Sequence, residues 1–273
     1  MNNLYRLSAF YKTDRGGNKA GVYLNADELS SLQMQKIAKE VGYSETAFVT
    51  KSSTADFKLR FFTPKNEVEL CGHATIAAFN LLRDLKIITP GLYTQETKAG
   101  ILKLEVMDSI VFMEQLPPTF FEVVEKSDLD QCFMGLVYDL DLLPQVVSTG
   151  IKEIFLPIKD LNNLNQIIPN FEAIIYTANK YNCIGIHAFT LNKEVDAYGR
   201  NFAPIVGIDE ESATVTSNGA LACFIHRYYK KKDSYILRQG YSMNQPSEII
   251  VRLKTDNYGE ITKVIVGGKA KII

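Results

Sequence analysis

Three histidines and four cysteines supply all the imidazole and thiol chemistry in a chain of 273 residues. None falls into a linear metal motif: H-x-x-x-H, H-E-x-x-H and C-x-x-C are all absent. No metal is therefore expected. Cys71, Cys132, Cys183 and Cys223 lie far apart, and in a chain this long they read as free thiols in a reducing cytoplasm. Two positions have a setting that suits chemistry. Glu45 enters the run Thr46-Ala47-Phe48-Val49, and His73 stands in Leu70-Cys71-Gly72-His73-Ala74-Thr75. A carboxylate that enters a strand beside a cleft loses hydration. Its pKa rises, and it can act as acid or base near neutral pH. Each position has a plainer reading. A lone Glu usually sits on the surface, and a His at a helix start can be a cap. His187 and His226 have no comparable setting and are read as structural.

The elements around these residues are mostly strands, with candidates at 4–10, 20–24, 45–50, 57–63, 100–106, 109–115, 145–149, 152–158, 183–190, 195–202, 234–239, 247–253, 261–266 and 269–273. The pattern predicts an amphipathic helix over 30–41, capped by Ser30 or Ser31 and stopped by Gly42. Weaker helices are predicted over 128–137 and 171–180. Two further helical stretches, 74–82 and 219–225, are almost wholly apolar. A helix that is apolar all round must be enclosed, here inside a curved sheet. Small or polar residues crowd both starts: Cys71-Gly72-His73-Ala74-Thr75 before one, and Ala213-Thr214-Val215-Thr216-Ser217 before the other.

The two stretches lie about half a chain apart, which suggests a duplication with both helix N-termini facing one inter-domain cleft. Helix N-termini carry unsatisfied N–H donors and partial positive charge, so they bind carboxylates and stabilise a developing enolate. The rival reading, small-residue helix starts under a barrel rim, fits the pattern equally well. Tandem Pro117-Pro118 marks the boundary. The expected domains are 1–117 and 118–260, with a strand at about 261–273 returning to the first.

The charge balance is 30 basic against 31 acidic side chains. That argues against a polybasic surface for nucleic acid or membrane. No run approaches the ~18–20 apolar residues of a membrane span, and Met1–Arg6 contains no apolar signal core. A cytoplasmic location is expected.

The motifs resemble a known family. They are Gly17-Asn18-Lys19-Ala20-Gly21-Val22, Ser44-Glu45-Thr46-Ala47-Phe48-Val49, Leu59-Arg60-Phe61-Phe62-Thr63-Pro64 and Glu67 through Thr75 in the first half. Arg200-Asn201-Phe202-Ala203-Pro204 and Gly207 through Ser217 follow in the second. In this order they resemble the phenazine-biosynthesis PhzF-like isomerases, within the diaminopimelate epimerase and proline racemase fold superfamily. The resemblance implies an α+β fold of two similar domains, each a barrel-like mixed sheet wrapped around a central helix.

It implies a cofactor-independent isomerase that moves a proton on a small carboxylate-bearing metabolite, dihydroaromatic or amino-acid-like, and a homodimer. Position by position, Glu45 matches the catalytic carboxylate, His73 the site histidine and Glu211 the family Asp, the three residues that the resemblance implies are catalytic, and Asn18 matches a substrate-contacting Asn. Gly72, Ala74, Thr75, Val215, Thr216 and Ser217 fall on the substrate-binding helix starts. No metal and no cofactor are implied.

Three departures lie together: Glu211 for Asp, Ser212 for Pro, and Val215 for a Gly. A β-branched residue resists positive φ and crowds a ligand. Val215 therefore predicts an altered loop, a smaller pocket or reduced activity, and motivates a second reading as a metabolite-binding protein of weak or no activity. Racemase relatives use two thiols. Cys71 matches the first, but Ala213 stands at the second, so two-cysteine chemistry is disfavoured and Cys71 reads as packing. A third reading, a hydrolase or lyase using Cys71, needs a Cys71–His73 pair, and side chains two apart near a helix start seldom face each other.

Overall fold

The computed structural model describes residues 3–273. The chain divides into two compact units: one runs to Glu114 and also takes Gly267–Ile273, and the other is Gln115–Val266. The strand Ile261–Gly268 thus spends only its last two residues in the first unit.

In the first unit, Leu4–Ala9 pairs antiparallel with Asn18–Tyr23 and with Ala270–Ile272. Asn18–Tyr23 runs parallel to Glu45–Thr50, with Ala20 opposite Glu45, and Phe57–Phe62 continues antiparallel. Parallel pairing brings the starts of the Asn18 and Glu45 strands to the same end of the sheet. The helix Gly72–Asp84 packs on these strands and is buried from His73 to Leu82. That enclosure is what its apolar sequence requires. The helix Ser31–Val41 has the expected Ser30 cap, completed by Gln33 as a capping box, and stops at Gly42 in the left-handed conformation.

In the second unit, Lys152–Pro157 pairs with Gln145–Ser148 and runs parallel to Ile186–Leu191. Ala197–Ala203, Ser234–Gln239 and Ser247–Thr255 extend the sheet. The helix Val215–Tyr228 packs on it and is buried from Ser217 to Ile225 without a break. Each unit is thus a mixed sheet around one apolar helix. Among the described residues, no helix is long and apolar enough to cross a membrane.

Some elements differ from expectation. The helix predicted over 128–137 is only Lys126–Leu129, followed by the two-residue strand Phe133–Met134. Gly135 at φ 75° lies inside that span, and a left-handed residue cannot continue a right-handed helix. The strands Gly91–Thr97, Thr119–Val123 and Ile208–Glu211 and the helix Leu161–Gln166 were not expected. Gly91–Thr97 reads GLYTQET, too polar to show a buried face, yet it pairs along its whole length with Gly100–Val106.

Candidate functional site

The first unit gathers its reactive side chains at one helix start. Gly17 turns the chain into the Asn18 strand at φ 91°, where a Cβ would collide with Ser8 Oγ. Asn18 then presents its amide nitrogen 3.3 Å from His73 Nδ1. With that amide assigned as donor, Nδ1 accepts and the ring proton sits on Nε2. Nε2 faces Ser44 Oγ at 3.4 Å and Glu45 Oε2 at 3.3 Å. His73 is 4% exposed and Glu45 14%. The Glu45–His73 approach has ion-pair spacing but not hydrogen-bond alignment. Glu45 Oε2 is buried and makes no hydrogen bond, an arrangement that costs free energy unless something else satisfies the oxygen.

Cys71 also belongs to this cluster. Its Sγ lies 3.5 Å from His73 Nδ1 and 3.9 Å from Nε2. The expectation that side chains two apart do not meet fails here, because Cys71 is not yet helical. It is the extended residue before the helix, at φ −141° and ψ 113°, and the corner folds its side chain back onto the ring. Cys71 therefore makes polar contact as well as packing.

Neither Cys71 nor Thr214 caps its helix with a side-chain hydrogen bond. Thr75 N–H reaches the Cys71 carbonyl at 3.0 Å, so the N–H groups of Gly72, His73 and Ala74 precede the helical ladder. Ala74 and Thr75 are fully buried, and the Thr75 hydroxyl turns back to the Cys71 carbonyl at 2.8 Å. Ala74 thus offers a ligand its backbone rather than a side chain, whereas Thr75 turns both its N–H and its hydroxyl to the Cys71 carbonyl. In the second unit, Asn218 N–H reaches the Thr214 carbonyl at 3.1 Å. The N–H groups of Val215, Thr216 and Ser217 precede that ladder in the same way.

Val215 is the first residue of its helix and is absent from the positive-φ positions. The backbone at Val215 therefore carries no positive-φ strain. Gly72, at the equivalent helix start, has no positive φ either. The difference between the two starts is side-chain volume, since Val215 is buried at 4% exposure.

Around this second start the partners are amides, hydroxyls and the Glu211 carboxylate. Thr214 Oγ1 donates to Glu211 Oε2 at 2.5 Å. Gln239 Nε2 donates to the Glu211 carbonyl at 2.6 Å, and Gln239 Oε1 accepts from Thr214 N–H at 3.2 Å and from Asn218 Nδ2 at 2.6 Å. The Val215 carbonyl is held by Gln115 Nε2 at 2.9 Å, and the Thr216 carbonyl by Thr149 Oγ1 at 3.2 Å. Ser217 is buried and its hydroxyl accepts from Asn201 Nδ2 at 3.1 Å. The Ser217 side chain points into the protein.

Sequence reasoning missed what lies beneath Ser217. Glu153 is 2% exposed, accepts from Asn201 Nδ2 at 2.5 Å and also bonds Ser217. Burial pushes its pKa up to about 7. The Ser217 and Asn201 hydrogen bonds oppose that rise and the Glu211 charge adds to it. His187, read as structural, faces Asn201 Nδ2 at 3.2 Å. Burial lowers its pKa to about 3, so it is neutral. The available signal was the charged pair Lys152-Glu153 in the otherwise apolar stretch Ile151–Leu156. All four cysteines are free thiols and buried.

Comparison with known proteins supports the motif reading. The model of the phenazine biosynthesis-like protein family matches residues 7–273. An uncharacterized isomerase of Clostridium acetobutylicum is 34% identical, covering 99% of this chain and 96% of its own. The uncharacterized isomerase YddE of Escherichia coli K12 is 33% identical with the same coverage. A PhzF-family phenazine biosynthesis protein of Bacillus anthracis superposes with a TM-score of 0.91 at 29% identity, covering 99% of this chain and 96% of its own. A hydroxyproline epimerase of Agrobacterium vitis shares the fold alone, at a TM-score of 0.65 and 12% identity. Isomerase is thus the class to which these two curated relatives are assigned. The chain belongs to the phenazine biosynthesis-like (PhzC/PhzF) family.

Proposed function

We propose that this protein is an isomerase that moves a proton on a small carboxylic-acid metabolite, with Glu45 as acid and base. The observation that carries this reading is the Glu45 carboxylate itself. One oxygen is buried without a hydrogen bond and stands 3.3 Å from His73 Nε2, beside an uncapped helix start. An oxygen left in that state has a lone pair ready for a proton. The carboxylate takes a proton from a carbon next to the substrate's carboxyl or conjugated system. The electron pair passes into that system as an enolate, and the carboxyl returns the proton at another carbon. His73, with its proton on Nε2, steadies the Glu45 charge and donates to the developing oxyanion. Asn18 fixes the tautomer through Nδ1. The backbone N–H groups of Gly72, His73 and Ala74 receive the substrate's carboxylate. In this reading the step needs neither metal nor cofactor.

Glu211 keeps its motif-based place among the catalytic residues and the start of the second helix its place in substrate recognition, and Val215 is bulkier there than glycine. The test is solvent deuterium incorporation. A panel of small carboxylic acids, including dihydroaromatic and amino-acid-like ones, is incubated with the protein in D2O and read by NMR. Incorporation is expected for at least one compound and is lost in Glu45→Gln. Equal incorporation by both proteins would remove Glu45 from the mechanism.

A further inference from the structure

The side chains framing the proposed proton transfer also form a ligand set for a soft metal. Glu45, Cys71 and His73 each offer one ligand atom, and all three atoms lie within 4.8 Å of one another. His73 Nε2 is 3.3 Å from Glu45 Oε2 and 3.9 Å from Cys71 Sγ. Around tetrahedral zinc, with bonds of about 2.3 Å to sulfur and about 2.0–2.1 Å to nitrogen or oxygen, neighbouring ligand atoms stand about 3.3–3.6 Å apart. The two spacings to His73 approach that figure, and the Glu45 and Cys71 ligand atoms lie within 4.8 Å of each other.

The charges also balance. A thiolate, a carboxylate and a neutral imidazole around a divalent cation sum to zero, which suits a buried place where separate ions are costly. The buried Glu45 oxygen with no hydrogen bond gains a partner. Thiolate and imidazole together select zinc or cobalt over magnesium or calcium. Binding at Nε2 requires the tautomer with the proton on Nδ1, and Asn18, turned by half a rotation, accepts that proton with its amide oxygen.

We propose that Glu45, Cys71 and His73 bind one zinc-type divalent cation, and that its binding shuts off proton transfer. The cation takes the Glu45 lone pair that would accept the proton, and it occupies the His73 Nε2 position from which the ring would donate. No bond to carbon forms or breaks. The only proton released by redistribution is that of the Cys71 thiol, which goes to solvent as the thiolate ligates. The inhibitory consequence rests on the acid/base reading, whereas the binding does not.

The test uses the full chain, anaerobic and free of metal and thiol reductant, titrated with Co2+ alone and then with Zn2+. One equivalent of Co2+ is expected to raise a thiolate-to-cobalt charge-transfer absorption with tetrahedral visible bands, and Zn2+ is expected to bleach both. Cys71→Ser is expected to abolish the charge-transfer band and weaken binding by roughly tenfold or more. Glu45→Gln keeps the thiolate band but weakens binding, which covers the case of a misfolded serine variant. No thiolate band in the wild type, or an equal band in Cys71→Ser, would overturn the site. With a compound that exchanges deuterium, one equivalent of Zn2+ should stop the exchange and chelation restore it. Exchange undiminished by bound Zn2+ would overturn the inhibition. Absence of exchange in the metal-free protein would count against the acid/base reading and leave the cobalt result standing.

Discussion

The two central helices begin alike in backbone and differently in chemistry. Both start without a side-chain cap, and both lead into an enclosed apolar helix. Around the first stand a carboxylate, an imidazole and a thiol in mutual contact, and one carboxylate oxygen has no hydrogen bond. Around the second, Glu211 takes the Thr214 hydroxyl, Gln239 links Thr214 to Asn218, and Asn201 links Ser217 to Glu153. The first start leaves a carboxylate oxygen without a hydrogen bond, whereas at the second both the Glu211 and the Glu153 carboxylates are held by side-chain donors and the atoms left over are the amide oxygen of Asn218 and Nε2 of the neutral His187. Two sheet-around-helix units can thus share the backbone of their helix starts and differ in the side chains gathered there.

The largest effects should separate the two starts directly. Glu45→Gln keeps the shape of the side chain and removes its basicity, so deuterium incorporation should fall by about 10²–10⁴-fold, the usual contribution of a positioned acid or base. Glu211→Gln keeps an acceptor for the Thr214 hydroxyl and should cost about tenfold, the worth of a weakened charged hydrogen bond. Equal losses in the two variants would break the contrast and divide the chemistry between the units. Asn18→Ala removes the amide that faces His73 Nδ1 and should also cost about tenfold. Its loss should appear as a changed pH profile of exchange, because the ring is freed to change tautomer.

The next effect concerns stability. Glu153 titrates at about 7 in the folded protein against an ordinary glutamate value of 4.5. Below both values the carboxyl is protonated in either state, and its contribution is fully present. As pH rises from 4.5 towards 7, the unfolded chain loses the proton first, so folding stability falls, and it levels off above about 7. The span corresponds to about 3 kcal/mol for this fully buried group. Glu153→Gln keeps the acceptor for Asn201 and removes the titration. Urea denaturation from pH 4.5 to 8 should show the variant gaining on the wild type by about 3 kcal/mol, with most of the gain below pH 7. Parallel curves would mean that Glu153 does not titrate in that window. A matching shift in the exchange profile would give the second start a share in the chemistry.

These contrasts were unevenly legible in the sequence. The enclosed helices could be read because an apolar residue at every turn leaves no face for water, and the Ser30 and Gly42 caps because those residue types satisfy helix ends locally. Glu45 and His73 were read as neighbours through motifs that lie far apart in the chain, and the packing of the helix Gly72–Asp84 on the Glu45 strand brings them together. The Cys71–His73 contact escaped a helix-spacing rule because Cys71 is extended. Val215 was read through glycine's freedom at positive φ, but helix starts use ordinary φ, and only side-chain volume separates it from Gly72. Glu153 escaped because its burial depends on three other elements meeting over it, which no local pattern encodes.

The smallest effect probes how the second start holds itself. In the first unit the residue before the helix is Cys71, whose side chain meets His73. In the second it is Thr214, whose hydroxyl bonds Glu211 at 2.5 Å and also accepts from Gln239 Nε2 at 3.1 Å. Thr214→Val keeps the β-branched shape and deletes both bonds. A hydrogen bond to a charged group contributes about 1.5–3 kcal/mol, but Glu211 is only partly buried and regains water when its donor leaves, so the net loss should be about 1 kcal/mol. In Glu211→Gln the same substitution should cost less, because the charged partner is already gone. Equal costs in the two backgrounds would mean that the hydroxyl serves Gln239 rather than Glu211. The carboxylate would then be available to a ligand, and the second helix start would resemble the first more closely than its bonding now indicates.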